Sequence, residues 1–194
     1  MQPFELYVQL GFQHISDLAG FDHILFLVAL CAVYRVEQWK RIVILVTAFT
    51  LGHSVTLALS SLDILVIPSS IIEFLIPTTI LITALHNVFS RPSTETSAGM
   101  SLNYAMALFF GFIHGMGFSN YFRALLMGDD SILVPLLGFN LGIEIGQLMV
   151  VAIIVGIGFL FINILRVQHR DWNVFISGAA AGVAVLLMSE NVFW

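Results

Sequence analysis

From Ile132 to Leu165 the chain runs for 34 residues with one charged side chain, Glu144. No water-soluble fold accommodates such a run, because a helix apolar on every side has to be surrounded by lipid or by other apolar helices. At 1.5 Å per residue it spans about 51 Å, against a hydrocarbon core of about 30 Å. Its first third is therefore expected to project beyond the core, to bend, or to line a polar cavity. The rest of the chain has the same character: 59% of its residues are hydrophobic and 10% charged, with a mean hydropathy of +0.98. Soluble domains carry about 25% charged residues. The chain reads as an integral membrane protein, and its 194 residues leave no room for a separate soluble module.

The reading is an all-α, polytopic transmembrane helix bundle, one integral membrane domain over residues 1–194. Residues 3–18 alternate apolar and polar at helical spacing and predict a short N-terminal interfacial helix. Six transmembrane helices are expected at about 20–35, 42–61, 70–90, 101–125, 132–165 and 172–192. Met1–Glu5 lacks the basic region of a signal peptide, so the first apolar run is expected to be retained. No internal repeat is strong enough to claim. The lone cysteine, Cys31, excludes an internal disulfide and a cysteine zinc site. A net charge of -5 without a basic run gives no support for nucleic-acid binding.

Orientation follows from the basic residues. Arg35, Lys40, Arg41, Arg91, Arg166 and Arg170, six of the seven, fall between spans one and two, three and four, or five and six, and Arg123 alone dissents. The positive-inside rule makes that side cytoplasmic in a bacterial-type plasma membrane, and puts both termini and the loops around Asp63 and Asp129–Asp130 on the other side. Trp39 and Trp172 fall at the inner interface and Trp194 at the outer one, as aromatic belts require.

Against this apolar background the polar groups stand out. An Asp, Glu or His inside a span costs at least a few kcal/mol, so each should face a cavity, a partner or a bound ion. His14, Asp17, Asp22, His23 and Glu73 sit near the outer ends of their segments, His53 and His114 in the middle to outer half, and Glu144 near the outer boundary once the excess length of its span is allowed for. The expectation is one outward-facing pocket built from His14, Asp22, His23, His53, Glu73, His114 and Glu144. Imidazole and carboxylate ligate first-row divalent metals, which makes zinc, nickel, cobalt or copper the expected ion.

Simpler roles compete at several positions. Asp22 suits a helix start, where its charge favours the positive end of the dipole. Thr50 and Ser54 suit interhelical hydrogen bonding. Glu73 precedes Pro77 by four residues, so the proline removes a helical bond to its carbonyl and a kink exposes carboxylate and backbone oxygen together. Gly138, Gly142 and Gly146 form a ladder for close packing, and Asn140, Glu144 and Gln147 a stripe on nearly the opposite face. Gly111 and Gly115 likewise permit close helix approach, and such glycine-rich faces also allow a homo-oligomer. His86 reads as structural or interfacial, and His169 as solvated in a loop.

Several of these segments together resemble one family. Gly11-Phe-Gln-His14, Gly20-Phe-Asp22-His23-Ile-Leu-Phe, Phe49-Thr-Leu-Gly-His53-Ser54-Val-Thr-Leu, the Glu73 span, Gly111-Phe-Ile-His114-Gly-Met-Gly-Phe118 and Phe139-Asn140-x-Gly142-x-Glu144-x-Gly146-Gln147 are similar to the HupE/UreJ family of small membrane proteins. The resemblance implies six or seven spans and a nickel or cobalt permease, or an accessory protein of hydrogenase or urease. Seven residues separate His14 from Asp22, two more than the family's usual spacing. On a continuous helix the excess turns His14 by about 200°, which a break at Gly20 would absorb.

The leading expectation is a divalent-metal permease without enzymatic activity, contacting membrane lipids and its ion. The inner half offers Thr47, Thr83, Asn87, Asn103, Asn163 and His86 as polar groups for a path. The alternative is a zinc-dependent intramembrane hydrolase acting on a lipid or lipid-linked substrate, with Glu73 or Glu144 as general base and Ser54 assisting. It lacks a signature such as His-Glu-x-x-His. A structural metal stapling the helices is the third reading.

Overall fold

A computed structural model describes residues 4–18, 20–89, 97–126 and 131–194. Arg91 and Asp129–Asp130 lie outside the described residues. Among those described the chain is all helix, without strands: α1 (Phe4–Ser16), α2 (Asp22–Cys31), α3 (Trp39–Ser61), α4 (Ser69–Phe89), α5 (Ser97–Gly117), α6 (Ser119–Leu125), α7 (Leu133–Phe159) and α8 (His169–Glu190). A single 3-10 turn, Val36–Gln38, leads into α3, and a π turn, Leu160–Ile164, ends α7. Among the described residues four segments are long and apolar enough to cross a membrane: Val36–Ser61, Ser69–Phe89, Leu133–Ile164 and His169–Glu190.

Two expected spans take a different form. The segment read as a first span over residues 20–35 holds a helix of ten residues, Asp22–Cys31. The one read as 101–125 divides at Phe118 into α5 and the short α6. Nor does α1 lie apart from the bundle. A Cβ built on Gly138 would meet Phe4 and Tyr7, one on Gly142 would meet Val8 and Phe12, and one on Gly146 would meet Phe12 and Ile15. The two helices therefore run in the same direction, backbone against backbone. The expected glycine ladder is real, and α1 packs on it. Farther along α7, Val150 and Val151 pack with Phe26 and Leu27 of α2, so α1 and α2 follow one another along this single long helix. The overlong run has its first third covered by α1.

The other seams follow from similar contacts. α3 and α5 run in the same direction, Gly111 lying against Phe49 and His53, and Gly115 against His53 and Thr56. α3 and α7 run oppositely, since Leu57 packs with Phe139 and Ile143 while Ile42 and Val46 share a cluster with Val150 and Val151. α4 and α8 also run oppositely: Asn173 Nδ2 donates to Asn87 O at 2.9 Å near one end, and Phe74 meets Trp194 at 5.2 Å near the other. One end of the bundle thus carries Ser61, Ser69 and Glu190, and the opposite end Trp39, Phe89 and His169. At the Ser61 end Arg123 of α6 forms an ion pair with Asp63, whose backbone takes the left-handed φ of 57°. His169, expected in a loop, begins α8 and is buried.

Candidate metal centre

Four helices each bring one imidazole towards the centre of the bundle. α1 stops at Ser16, whose hydroxyl donates back to Phe12 O at 2.8 Å, and α2 starts at Asp22. The intervening break reverses the azimuthal offset that two extra residues would impose, and His14 and His23 end with ring centroids 4.7 Å apart. His53 projects from α3 with its centroid 5.9 Å from each of them. One nitrogen from each of His14, His23 and His53 lies within 4.8 Å of the other two. Nitrogens bound tetrahedrally to an ion at about 2.1 Å stand about 3.4 Å apart, so modest side-chain rotation would bring the three into ligand geometry. His114 of α5 is the next ring, 5.1 Å from His23.

The hydrogen bonds fix how these rings present themselves. Asp22 Oδ1 accepts from the His23 backbone N–H at 2.8 Å and stands 3.0 Å from His23 Nδ1. With Nδ1 donating to the carboxylate, Nε2 carries the lone pair, the second-sphere arrangement that orients metal-ligating histidines. The Thr79 hydroxyl donates to Ile76 O at 2.7 Å and so accepts from His114 Nε2, 2.9 Å away. His114 Nδ1 is then left as an acceptor. His14 Nε2, His23 Nε2, both nitrogens of His53 and His114 Nδ1 are buried with no hydrogen-bond partner. Buried polar atoms are nearly always paired, and five orphaned nitrogens in one cluster fit a ligand set for a soft or borderline cation.

The surroundings are aromatic. The Phe118 ring lies 4.0 Å from His14, and Phe49 and Phe26 lie 5.1 and 5.2 Å from His114. Such walls exclude water and raise the cost of an unpaired polar group. On one side the cluster opens, through His14, into a cavity of about 670 Å³ lined by Gln13, Ser16, Asp17, Leu18, Phe118 and Tyr121. Asp17 therefore faces the approach to the rings.

Glu73 and Glu144, expected in the same pocket, are placed elsewhere. Glu73 is exposed and borders a separate cavity of about 190 Å³ together with Asp22, Pro77, Leu187 and Asn191. α4 stays helical through Pro77. Glu144 turns to α3, where it accepts from Thr47 Oγ1 at 2.7 Å and from Thr50 Oγ1, which also contacts Gln147 Oε1 at 2.7 Å. Thr50 thus makes the interhelical bond expected of it. Ser54 instead bonds within its own helix, to Thr50 O at 2.6 Å. Sequence reasoning did not find Thr79 or the phenylalanine walls. The signal for Thr79 was a hydroxyl beside Pro77 in an apolar span, the same kind of signal that singled out Thr50.

Long apolar helices enclosing four converging imidazoles, one of them held by a carboxylate, define an integral membrane protein with a histidine centre suited to a divalent transition metal. The chain belongs to the HupE/UreJ family: the family model described as HupE / UreJ protein matches residues 1–193. That family is linked to nickel and cobalt handling, in transport or accessory roles. Comparisons with curated proteins and with solved structures gave no match.

Proposed function

We propose that this protein is a permease for a divalent transition-metal ion, with His14, His23 and His53 as its binding site. The observation that carries the reading is the convergence of three imidazoles from three helices, with buried, unpaired nitrogens, beside a wide cavity. The ion is substrate. It arrives hydrated at Asp17 and Gln13, exchanges water for neutral nitrogens, and is balanced by the carboxylate of Asp22 behind His23. His114, held by Thr79, is the fourth nitrogen within reach. Glu144, with Thr47 and Thr50, supplies the next polar station along α3 and α7, on the Trp39 side of the histidines. That carboxylate adds a charged group to a half whose other polar side chains are few.

Six helical passages form counting α1–α2 as one discontinuous passage and α5–α6 as another. The membrane is a bacterial-type plasma membrane with the Trp39 end, rich in Lys and Arg, on the cytoplasmic side and both termini on the other. Membership of the family supports nickel or cobalt; zinc and copper satisfy the same donors, since imidazole binds all four and affinity rises from cobalt through nickel to copper.

The deciding experiment combines elemental analysis of purified protein with uptake of nickel, cobalt and zinc into sealed proteoliposomes. About one ion per chain and saturable uptake are expected, both lost in His23→Ala or His53→Ala. Bound metal without uptake by any of the three ions would overturn the permease. Protein that takes up no metal would overturn the metal site as well. Nothing favours the hydrolase reading: Ser54 Oγ donates to a backbone carbonyl, Glu144 is engaged by threonines, and Glu73 borders a different cavity.

A further inference from the structure

The two halves of the chain repeat one another. Gly11-Phe-Gln-His14 lies near the end of α1 and Gly111-Phe-Ile-His114 near the end of α5. Each is followed by a Gly-Phe pair, Gly20-Phe21 or Gly117-Phe118, directly after which a shorter helix starts, α2 or α6. Phe49-Thr-Leu-Gly52 in α3 matches Phe139-Asn-Leu-Gly142 in α7. The order α1–α4 thus recurs as α5–α8.

The packing obeys the same correspondence, atom for atom. A Cβ on Gly11 would lie 2.0 Å from Phe139 O and 3.1 Å from Ile143 N; one on Gly111 would lie 2.2 Å from Phe49 O and 3.1 Å from His53 N. A Cβ on Gly142 would lie 2.0 Å from Val8 O and 2.8 Å from Phe12 N; one on Gly52 would lie 2.1 Å from Leu108 O and 3.0 Å from Phe112 N. The first helix of each half therefore packs on the third helix of the other. Because α3 and α7 run oppositely, and α4 and α8 do too, a pseudo-twofold axis across the bundle relates the halves as inverted repeats. His14 and His114 are exchanged by it and stand on either side of His23.

The symmetry holds for α1, α3, α5 and α7 and fails for the α4–α8 pair. That pair packs against α2 and α5; among the described residues no comparable packing joins it to their counterparts α6 and α1. On the α1–α6 side stands the cavity of about 670 Å³. Between α2, α4 and α5 remains a crevice of about 20 Å³, lined in part by Tyr34, Thr83, Asn87 and Asn103. It is shut by Asn103 Nδ2 donating to Tyr34 Oη at 2.9 Å and Asn87 Nδ2 donating to Ala29 O at 2.6 Å.

We propose that the protein has a second conformation, related to this one by the pseudo-twofold, in which the α4–α8 pair moves from α2 and α5 onto α1 and α6. The large cavity then closes and the polar crevice opens to the opposite face. Inverted repeats supply two near-equivalent seatings for one element, and a substrate site at their shared axis is reached from either side in turn. The proposal rests on the permease reading and gives it its other opening.

The test uses single cysteines in full-length protein with Cys31 replaced by Ala, reconstituted in vesicles and probed with a membrane-impermeant thiol reagent. Ser16→Cys reports the cavity; Thr83→Cys and, should that variant not fold, Asn103→Cys report the crevice. Labelling is expected from opposite sides, and nickel chloride is expected to shift the two rates in opposite directions by about twofold or more. A short bis-maleimide joining Tyr34→Cys to Asn103→Cys should abolish nickel uptake and leave bound nickel unchanged. Crevice cysteines protected under every condition, or uptake that survives the cross-link, would overturn the exchange. Labelling is read without transport, so absence of uptake by the unmodified protein overturns the permease reading alone.

Discussion

The Asp22–His23 pair shows what a single side chain does at this centre. Asp22 begins α2, where its charge meets the positive end of the helix, and its Oδ1 holds His23 Nδ1 at 3.0 Å. Asp22→Asn keeps the shape and removes the charge behind the imidazole, so metal affinity should fall about 10- to 100-fold in a calorimetric or dye-competition titration, with the fold unchanged. Thr50→Val acts differently, because it removes the hydroxyl that Glu144 Oε2 and Gln147 Oε1 both contact inside the bundle. It should lower stability by about 1–3 kcal/mol, read as a drop in the thermal midpoint in detergent. The histidines were legible because an imidazole in an apolar run demands a partner. Glu73 and Glu144 gave the same signal, but position along a helix gives depth and only a coarse azimuth. Which neighbour Glu144 turns to depends on packing angles that its own helix does not encode.

Among the helices, two seams are made by glycine against backbone. Gly142→Ala would place a methyl group 2.0 Å from Val8 O, an atom that cannot rotate away. Gly178, by contrast, has nothing within 4 Å of such a methyl group. The first substitution should therefore cost about 1–3 kcal/mol or more and disturb the position of His14 on α1, whereas Gly178→Ala should raise helix propensity without a clash. Thermal unfolding of the two variants side by side checks the contrast. The ladder of Gly138, Gly142 and Gly146 was readable in the sequence, but its occupant was not, since small residues promise close approach without naming the helix that approaches. The break between α1 and α2 was foreshadowed by Gly20 and by the lengthened interval before Asp22. The division of the expected fourth span at Phe118 had a signal of the same kind in Gly117 and in the polar Ser119-Asn120 that follow it, but it lies inside a stretch whose flanks read as one apolar span.

For the molecule as a whole, the apolar composition fixed an all-helical membrane bundle, but the relation between its halves stayed hidden. They share a few short motifs, at spacings that differ between the first and third helices, and α1 has 13 residues where α5 has 21. Their equivalence resides in backbone distances that no one-dimensional comparison contains. Sidedness can be tested directly: a reporter active only outside the cytoplasm should function when fused after Trp194, and a reporter restricted to the cytoplasm should function in the Arg166–Arg170 loop. The reverse pattern would invert the orientation. Phe122 of α6 is fully buried in the cluster that holds Leu57 of α3 and Phe139 of α7, its ring 5.2 Å from that of Phe139. α6 is thereby moored to the two helices that cross at the centre, one of which bears His53. In the exchange proposed for the α4–α8 pair that mooring would stay in place, so His53 would stand on a stationary post while the walls around it trade sides.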